Sequence, residues 1–476
     1  MTKPQPSLLD VTRELSNRAR NAHFNFGEDT AIVAVQHMLW QTLDLFEALT
    51  SLGVKRENIF ALGKIYSNSP IVMAALRNRG IMVVESTTPR PGEFERAFQE
   101  DVNRLWDVVR RSLAQRRIRR ILILDDGGKC AISMPPELLT RYAVAGVEQT
   151  AFGIFVFEET PPPFAVVSWA RSAVKRRIGG ALFSHCLLAK VQSEFRGGKV
   201  LTGKKVGIIG LGSIGCALAN LVQRQHNDVL FFDPDPDCEV PGYLGGRLTQ
   251  VDSLSDVLMR CDYVFGCSGR RPFKDKWPLP YRPDVKLFSA SGGDQEFGPI
   301  IDDLKTRPRF RVAPSTGDIY GDGPSGPIFI AYLGYPYNFV SRYVEAVPTH
   351  VVQIETGGLL AGLIQARTHL SLCETGRAEN SGVQRVSPEA QRFVYETWRR
   401  AMNRAGIDLP QVYGYDPAVL ASPSDRWWFA KYSEPCPSLS YEPSHATEAM
   451  VASMVRENAG SDFGKQRQFK ADFCSF

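Results

Sequence analysis

Lys175, His37 and Asp126 are an amine, an imidazole and a carboxylate, the side-chain types that hold and move protons in enzymes. His37 follows the apolar run Ala31–Val35, and Asp125–Asp126–Gly127–Gly128 follows the apolar run Ile121–Leu124. Positions just past the carboxyl ends of strands are where open α/β sheets bind their ligands. Lys175 lies eleven residues after Phe164, with Arg176 and Arg177 beside it. Each has a plainer alternative: a satisfied buried histidine, a turn-forming Asp-Asp-Gly-Gly, and a basic helix edge.

A second chemistry is written between Val206 and Asp233. Val206–Ile209 is a short apolar run, and Gly210, Gly212 and Gly215 follow it in G-x-G-x-x-G spacing. From Ile214 to Arg224, Leu218, Leu221 and Val222 recur at helical spacing. A further apolar run from Val229 ends on Asp233, eighteen residues beyond Gly215. Gly210 permits the tight turn, Gly212 lets a pyrophosphate approach the backbone, and Gly215 lets helix and strand pack closely. Ser213 and Ile214 open the helix, whose unpaired N–H groups suit phosphates. Asp233 would accept hydrogen bonds from ribose hydroxyls and repel a 2′-phosphate, so the expected cofactor is NAD.

These residues need elements to hold them. Apolar strand-like runs at 31–35, 58–62, 81–85 and 121–124 alternate with helical stretches at 39–52, 71–79 and 94–117. That alternation predicts an α/β fold with doubly wound, mostly parallel sheets. Past 198, the cofactor unit continues with strands at 263–265, 285–288 and 328–331, whose ends carry Ser268 and Ser291, both assigned to the cofactor. Helices return at about 347–370 and 388–405, and residues 406–447 read as a loop-rich excursion.

Composition narrows the classes. Of 476 residues, 43% are hydrophobic and 22% charged, with a net charge of +5, which gives no reason to invoke nucleic acid. The basic run Arg110–Arg120 reads as a solvated helix face. No run approaches the ~18 apolar residues of a membrane span, and the amino-terminal stretch lacks the apolar core of a signal peptide. The nine cysteines include no C-x-x-C pair, which fits a cytoplasmic setting, and no cluster has metal-ligand spacing.

The flanks of the glycine unit resemble another enzyme family. Gln36–Thr42, Ile59–Ala75, Leu124–Gly128, Gly146–Thr150, Phe164–Lys175 and Cys261–Val264 occur in the order seen in adenosylhomocysteinases. Leu333–Asn338 resembles that family's E-G-R-L-V-N, and Phe469–Phe476 its terminal F-K-P-D-H-Y-R-Y. The resemblance implies two Rossmann-like lobes. One is a substrate domain from residues 1–190, completed by about 347–450; the other is an NAD domain near 198–345 inserted within it. Residues 451–476 would form a tail. It implies a tightly held NAD that oxidises a sugar hydroxyl and later returns the hydride, with Lys175, Asp126 and His37 at the substrate and Asn338 at the cofactor. It also implies a homo-oligomer, a dimer or tetramer, in which Lys470 contacts the NAD of a neighbouring subunit.

The departures from that family bear on function. Its D-N pair after the lysine falls at Gly179–Gly180, its second E of S-E-E-T-T-T at Gln149, and the histidine of N-I-G-H-F-D at Gly292. Glycine supplies no proton relay, and losing the acid–base partner of a catalytic lysine removes about 10²–10⁴-fold of rate. The expectation is an NAD-dependent enzyme acting on a nucleoside, sugar or hydroxy compound, a small-molecule substrate, without efficient adenosylhomocysteine hydrolysis. Two alternatives stand: a non-catalytic NAD-bound assembly or regulatory protein, and a 2-hydroxyacid dehydrogenase. The last would want His350 as its acid, and an arginine in the Ser289–Gly293 turn, where none occurs.

Overall fold

The computed structural model describes residues 9–194, 200–235, 238, 240, 244, 246–339 and 348–408. Lys470, the tail 451–476 and most of the 406–447 excursion lie outside them.

Two sheets carry the chain. The first has seven strands: β1 (Thr30–Gln36), β2 (Ile59–Gly63), β3 (Met82–Val84), β4 (Arg120–Asp125), β5 (Ala143–Glu148), β6 (Val166–Ser168) and a late strand at Val383–Arg385. Their order is Val383–Arg385, β6, β5, β4, β1, β2, β3, and every pairing is parallel. β1, β2 and β4 are buried along their whole length, as strands covered by helices on both faces must be. The alternation read from 31 to 124 is therefore realised as a doubly wound sheet.

The second sheet comprises β7 (Val206–Ile209), β8 (Val229–Phe232), β9 (Leu248–Gln250), β10 (Tyr263–Gly266), β11 (Val285–Ser289), β12 (Arg311–Val312), β13 (Ile319–Gly323) and β14 (Gly326–Ile330). Its order is β12-β13-β14-β11-β10-β7-β8-β9. It is parallel from β9 to β14, and β13 and β12 add an antiparallel edge. The chain leaves β7 for β8 on one side and returns to β10 on the other, so the strand order reverses beside β7. Ligands bind at such a reversal. The glycine turn stands there.

The strand Val383–Arg385, which we number β15, lies beyond the second sheet in sequence yet pairs with β6 of the first. The 26-residue helix Thr349–Glu374 makes that return and is buried over most of its length. It packs on the helices Asp10–Asn21, Trp40–Ser51 and Pro388–Arg404 and on β5. Gly358 permits its closest approach, since a Cβ there would lie 2.1 Å from the Trp169 ring.

The basic run does not form one helix face. The helix that begins at Phe94 stops at Leu113, not Arg117, because the chain must turn to bring Arg120 opposite Thr30 in β4. Arg120 is then only 8% exposed, bonded to Asp29 and to both carboxylate oxygens of Glu374 at 2.8 Å each. β5 and the helix Ala151–Glu159 are elements that the periodicity did not disclose.

Candidate functional site

The carboxyl ends of the two sheets border one cavity of about 430 Å³. From the first sheet, the residues just past β1, β2 and β4 are His37, Lys64 and Asp126. Three adjacent parallel strands thus deliver an imidazole, an amine and a carboxylate side by side. Lys64 Nζ lies 2.5 Å from Asp126 Oδ1, and His37 Nε2 lies 3.2 Å from Asp126 Oδ2. Gln149 donates to the same carboxylate. His37 Nδ1 meets the Ser67 hydroxyl at 2.6 Å, and the Phe339 ring stacks on the imidazole at 4.1 Å.

The electrostatics follow from burial. Burial alone would raise Asp126, but Lys64 and His37 outweigh it and hold the carboxyl well below its usual range. Burial alone would lower Lys64, and Asp126 holds it above the usual lysine range. Asp125 points the other way, accepting from Ala131 N at 2.8 Å, and burial pushes it up to about 6. The Asp-Asp-Gly-Gly stretch is thus both a turn and a charged site. Tyr66, pushed up to about 12 by burial, has its hydroxyl 4.0 Å from where a Gly292 side chain would begin.

A second ion pair crosses the cavity wall. Lys175 opens a π-helical turn, Lys175–Gly179, a form that often marks functional positions in helices. Its Nζ donates to Glu355 Oε2 at 2.8 Å and lies 4.9 Å from the Phe183 ring centre. Glu355 comes from the helix Thr349–Glu374. The lysine therefore keeps a carboxylate partner although position 179 is glycine, a correction to the expectation that this partner is lost. Gly180 has its own reason: a Cβ there would fall 2.1 Å from Ser213 Oγ, so glycine lets this helix start touch the glycine turn.

On the second sheet, Gly210 has φ +91°, and a Cβ on Gly215 would fall 2.0 Å from the Gly210 carbonyl oxygen. Gly212, by contrast, has open space above it, with nothing within 4 Å of a built Cβ. It caps the helix Ser213–Gln223, whose first N–H groups have no partner within the helix. An exposed glycine backbone beside a helix amino terminus is the cradle that a dinucleotide pyrophosphate requires. The Asp233 carboxylate accepts from Leu211 N at 2.6 Å and Asp235 N at 3.0 Å, which pins it beside the turn. The residues present fit NAD. Replacing Asp233 by alanine should narrow the preference for NAD over NADP by about tenfold or more, because a like-charge repulsion is removed. Parallel titrations of nucleotide-free protein measure this, and an unchanged ratio would remove Asp233 from cofactor selection.

Ser268 and Ser291 are organised by Glu296, a residue the sequence did not single out. Its carboxylate accepts from Ser268 Oγ at 2.9 Å and from Ser291 Oγ, while Gly269 N donates to Ser291 Oγ at 3.0 Å. Burial raises Glu296 to about 7 from 4.5. The folded chain then keeps a proton that the unfolded chain has lost, so this group favours folding in acid and loses that contribution as pH climbs from about 4.5 through 7. The span corresponds to about 3 kcal/mol. Urea midpoints of the wild type should fall more between pH 5 and 8 than those of Glu296→Gln. Equal slopes would contradict the assignment.

Of the sequence-predicted residues, His37, Asp126, Lys175, Gly212, Ser213, Ile214, Ser268, Ser291 and Asn338 line the cavity. Gly210, Gly215 and Asp233 are not among the lining residues, and Lys470 is outside the described residues. Lys64 and Glu355 line the cavity too, and sequence reasoning missed both. The available signal for Lys64 was its place directly after β2. Glu355 had none. His350 is exposed at the start of its helix and is not part of the lining.

The fold and turn define a dinucleotide-binding α/β protein, and comparison with known proteins narrows this. Residues 184–270 match the family model of the D-isomer specific 2-hydroxyacid dehydrogenase NAD binding domain. The second sheet is thus part of an NAD-binding domain. Two uncharacterized Mycobacterium tuberculosis proteins, Rv0104 of strain H37Rv and MT0113 of strain CDC 1551, are each 28% identical over 336 residues. That match covers 68% of this chain and 61% of theirs, so the chain spans less than two thirds of the length of these relatives. Among solved structures, TP0037 from Treponema pallidum, a D-lactate dehydrogenase, covers 73% of this chain and 98% of its own at 13% identity and a TM-score of 0.33. The Escherichia coli D-lactate dehydrogenase gives the same coverage and identity with a TM-score of 0.31. None of these matches points to adenosylhomocysteinase. Among the described residues, no helix is long and apolar enough to cross a membrane.

Proposed function

We propose that this chain is an NAD-dependent dehydrogenase acting on a secondary hydroxyl of a small substrate. One observation carries the reading: a single cavity is lined both by the glycine turn and by His37, Asp126 and Lys175. When bound, NAD supplies a hydride acceptor. Lys175 can take the hydroxyl proton once its own proton has passed to Glu355, and His37 can take it through Ser67, because Asp126 occupies its Nε2. The Phe339, Phe183 and Phe155 rings narrow the cavity and limit water. Adenosylhomocysteine hydrolysis is not part of this reading.

The match of residues 184–270 makes 2-hydroxy acids the first class to try. A second reading, a neutral sugar or nucleoside, is favoured by the pairing of the cavity's cations. Lys64 is held by Asp126, Lys175 by Glu355, Lys129 by Glu95 at 2.5 Å and Arg171 by Glu158 at 2.6 Å. Arg176, whose carbonyl takes the Ser213 hydroxyl, lies beside the glycine turn. At Lys64, Lys175, Lys129 or Arg171 a substrate carboxylate would have to displace an existing partner, and separating a buried pair is costly. The test is reduction of added NAD by short 2-hydroxy acids, adenosine and simple sugars, followed by absorbance. If no hydroxy compound reduces NAD although NAD binds, the dehydrogenase reading fails and the non-catalytic alternative takes its place.

A further inference from the structure

We propose that Glu355 is the positioning residue for Lys175, and that position 179 is glycine in order to admit it. The inference rests on the reading that Lys175 works in the cavity, and it deepens that reading by saying how Glu355 is seated and why position 179 is glycine. Three observations support it.

First, one oxygen of Glu355 does two things. Oε2 accepts from Lys175 Nζ at 2.8 Å and from Trp169 Nε1 at 2.7 Å. The indole holds the carboxylate in place while the carboxylate holds the amine. Glu355 is only 7% exposed, so little solvent screens the pair.

Second, the other oxygen occupies the space of a missing side chain. A Cβ built on Gly179 would lie 2.3 Å from Glu355 Oε1, closer than any real carbon sits. Oε1 has no hydrogen-bond partner among the described residues. A side chain at 179 would therefore require the Glu355 carboxylate to move from its present position.

Third, a carboxylate at 179 could serve the same lysine. The two positions are four apart in the turn Lys175–Gly179, and the built Cβ is 3.3 Å from Lys175 Cδ. Lys175 can thus be served from its own turn or from the distant helix Thr349–Glu374, but not from both with Glu355 seated as it is. This chain uses the distant helix. A helix that returns from the second sheet to the first thereby sets the lysine, which ties the amine's placement to how the two sheets sit around the cavity.

The test uses the full chain and the variants Glu355→Gln, Glu355→Ala, and Glu355→Ala combined with Gly179→Asp. The glutamine variant retains volume and an acceptor for Trp169 but removes the charge, so a purely structural role would leave it silent. Trace acetylation with acetic anhydride reports the freedom of the Lys175 amine by peptide mass spectrometry, with Lys305 as the internal reference. Loss of a charge-assisted hydrogen bond should raise Lys175 acetylation about tenfold in Glu355→Gln and Glu355→Ala. The double variant should bring it back to within about threefold of the wild type, because non-additivity is the mark of groups that share a partner. Turnover, on whichever hydroxy compound reduces NAD, should fall about 100-fold in Glu355→Gln and recover in part in the double variant. Near-UV circular dichroism confirms that each variant is folded. Unchanged acetylation in folded Glu355→Gln, or a folded double variant no better than Glu355→Ala, overturns the proposal. If acetylation follows the expected pattern while no compound is oxidised, the pairing stands and the dehydrogenase reading is what fails.

Discussion

Gly215→Ala is expected to abolish NAD binding and lower the melting temperature of the nucleotide-free chain, whereas Gly212→Ala should weaken NAD binding and leave the melting temperature nearly unchanged. The two glycines are three residues apart and look alike in sequence. Their surroundings differ. A Cβ at 215 would meet the Gly210 carbonyl oxygen at 2.0 Å and the Ile208 side chain at 3.3 Å. Gly210 cannot yield, because its φ of +91° is set by the turn and its own Cβ position is 2.6 Å from Ser268 Cα. The helix would have to lift off β7, at a cost of about 3–5 kcal/mol, the range of severe core and backbone clashes. At 212 a Cβ meets nothing, and φ is −73°. The added methyl would be felt only by a ligand lying against the backbone. Calorimetric titration with NAD, alongside thermal unfolding of both variants, distinguishes them. Wild-type affinity in Gly212→Ala would mean that no pyrophosphate lies over this turn.

Asp126→Asn is expected to cost both stability and activity, by separable routes. The Lys64 side chain is 6% exposed, and Asp126 is its ion-pair partner at 2.5 Å. Removing one member of a buried pair leaves an uncompensated charge, worth about 3–5 kcal/mol. Because Asp126 is held well below its ordinary range, its contribution is present above about pH 4 and is lost as pH falls further. Activity falls for another reason: His37 loses the carboxylate that orients its Nε2, an effect of about 10²–10⁴-fold on rate if the imidazole handles the proton. Adding Lys64→Met to Asp126→Asn should restore most of the stability and none of the turnover. Urea unfolding and steady-state rates on the same preparations decide it. Recovery of turnover with stability would show that Asp126 serves the fold alone.

What could be read from the sequence was local. The turn from Val206 to Gly215 is legible because each glycine answers to a neighbour within a few residues: a tight turn, a helix amino terminus, a strand-to-helix contact. Asp233 follows from the same short unit. His37 and Asp126 were legible because an apolar run predicts a parallel strand, and its carboxyl end predicts a binding edge. The basic run from Arg110 to Arg120 was misread because charge alone does not say where a helix stops. The need to pair Arg120 with Thr30 decided that.

Only the tertiary structure could supply the partners. Lys64 meets Asp126 because β1 lies between β2 and β4, a strand order that no local pattern encodes. Glu296 reaches Ser268 across 28 residues, and Glu355 reaches Lys175 across 180. Periodicity assigned the helix that carries Glu355, but not the side chain it would set against Gly179. In sequence that glycine is only a missing carboxylate; in the fold it is the space another carboxylate fills. Backbone conformation is set by near neighbours, whereas the pairing of buried charges depends on which distant surfaces are pressed together, and that is decided when the whole chain packs.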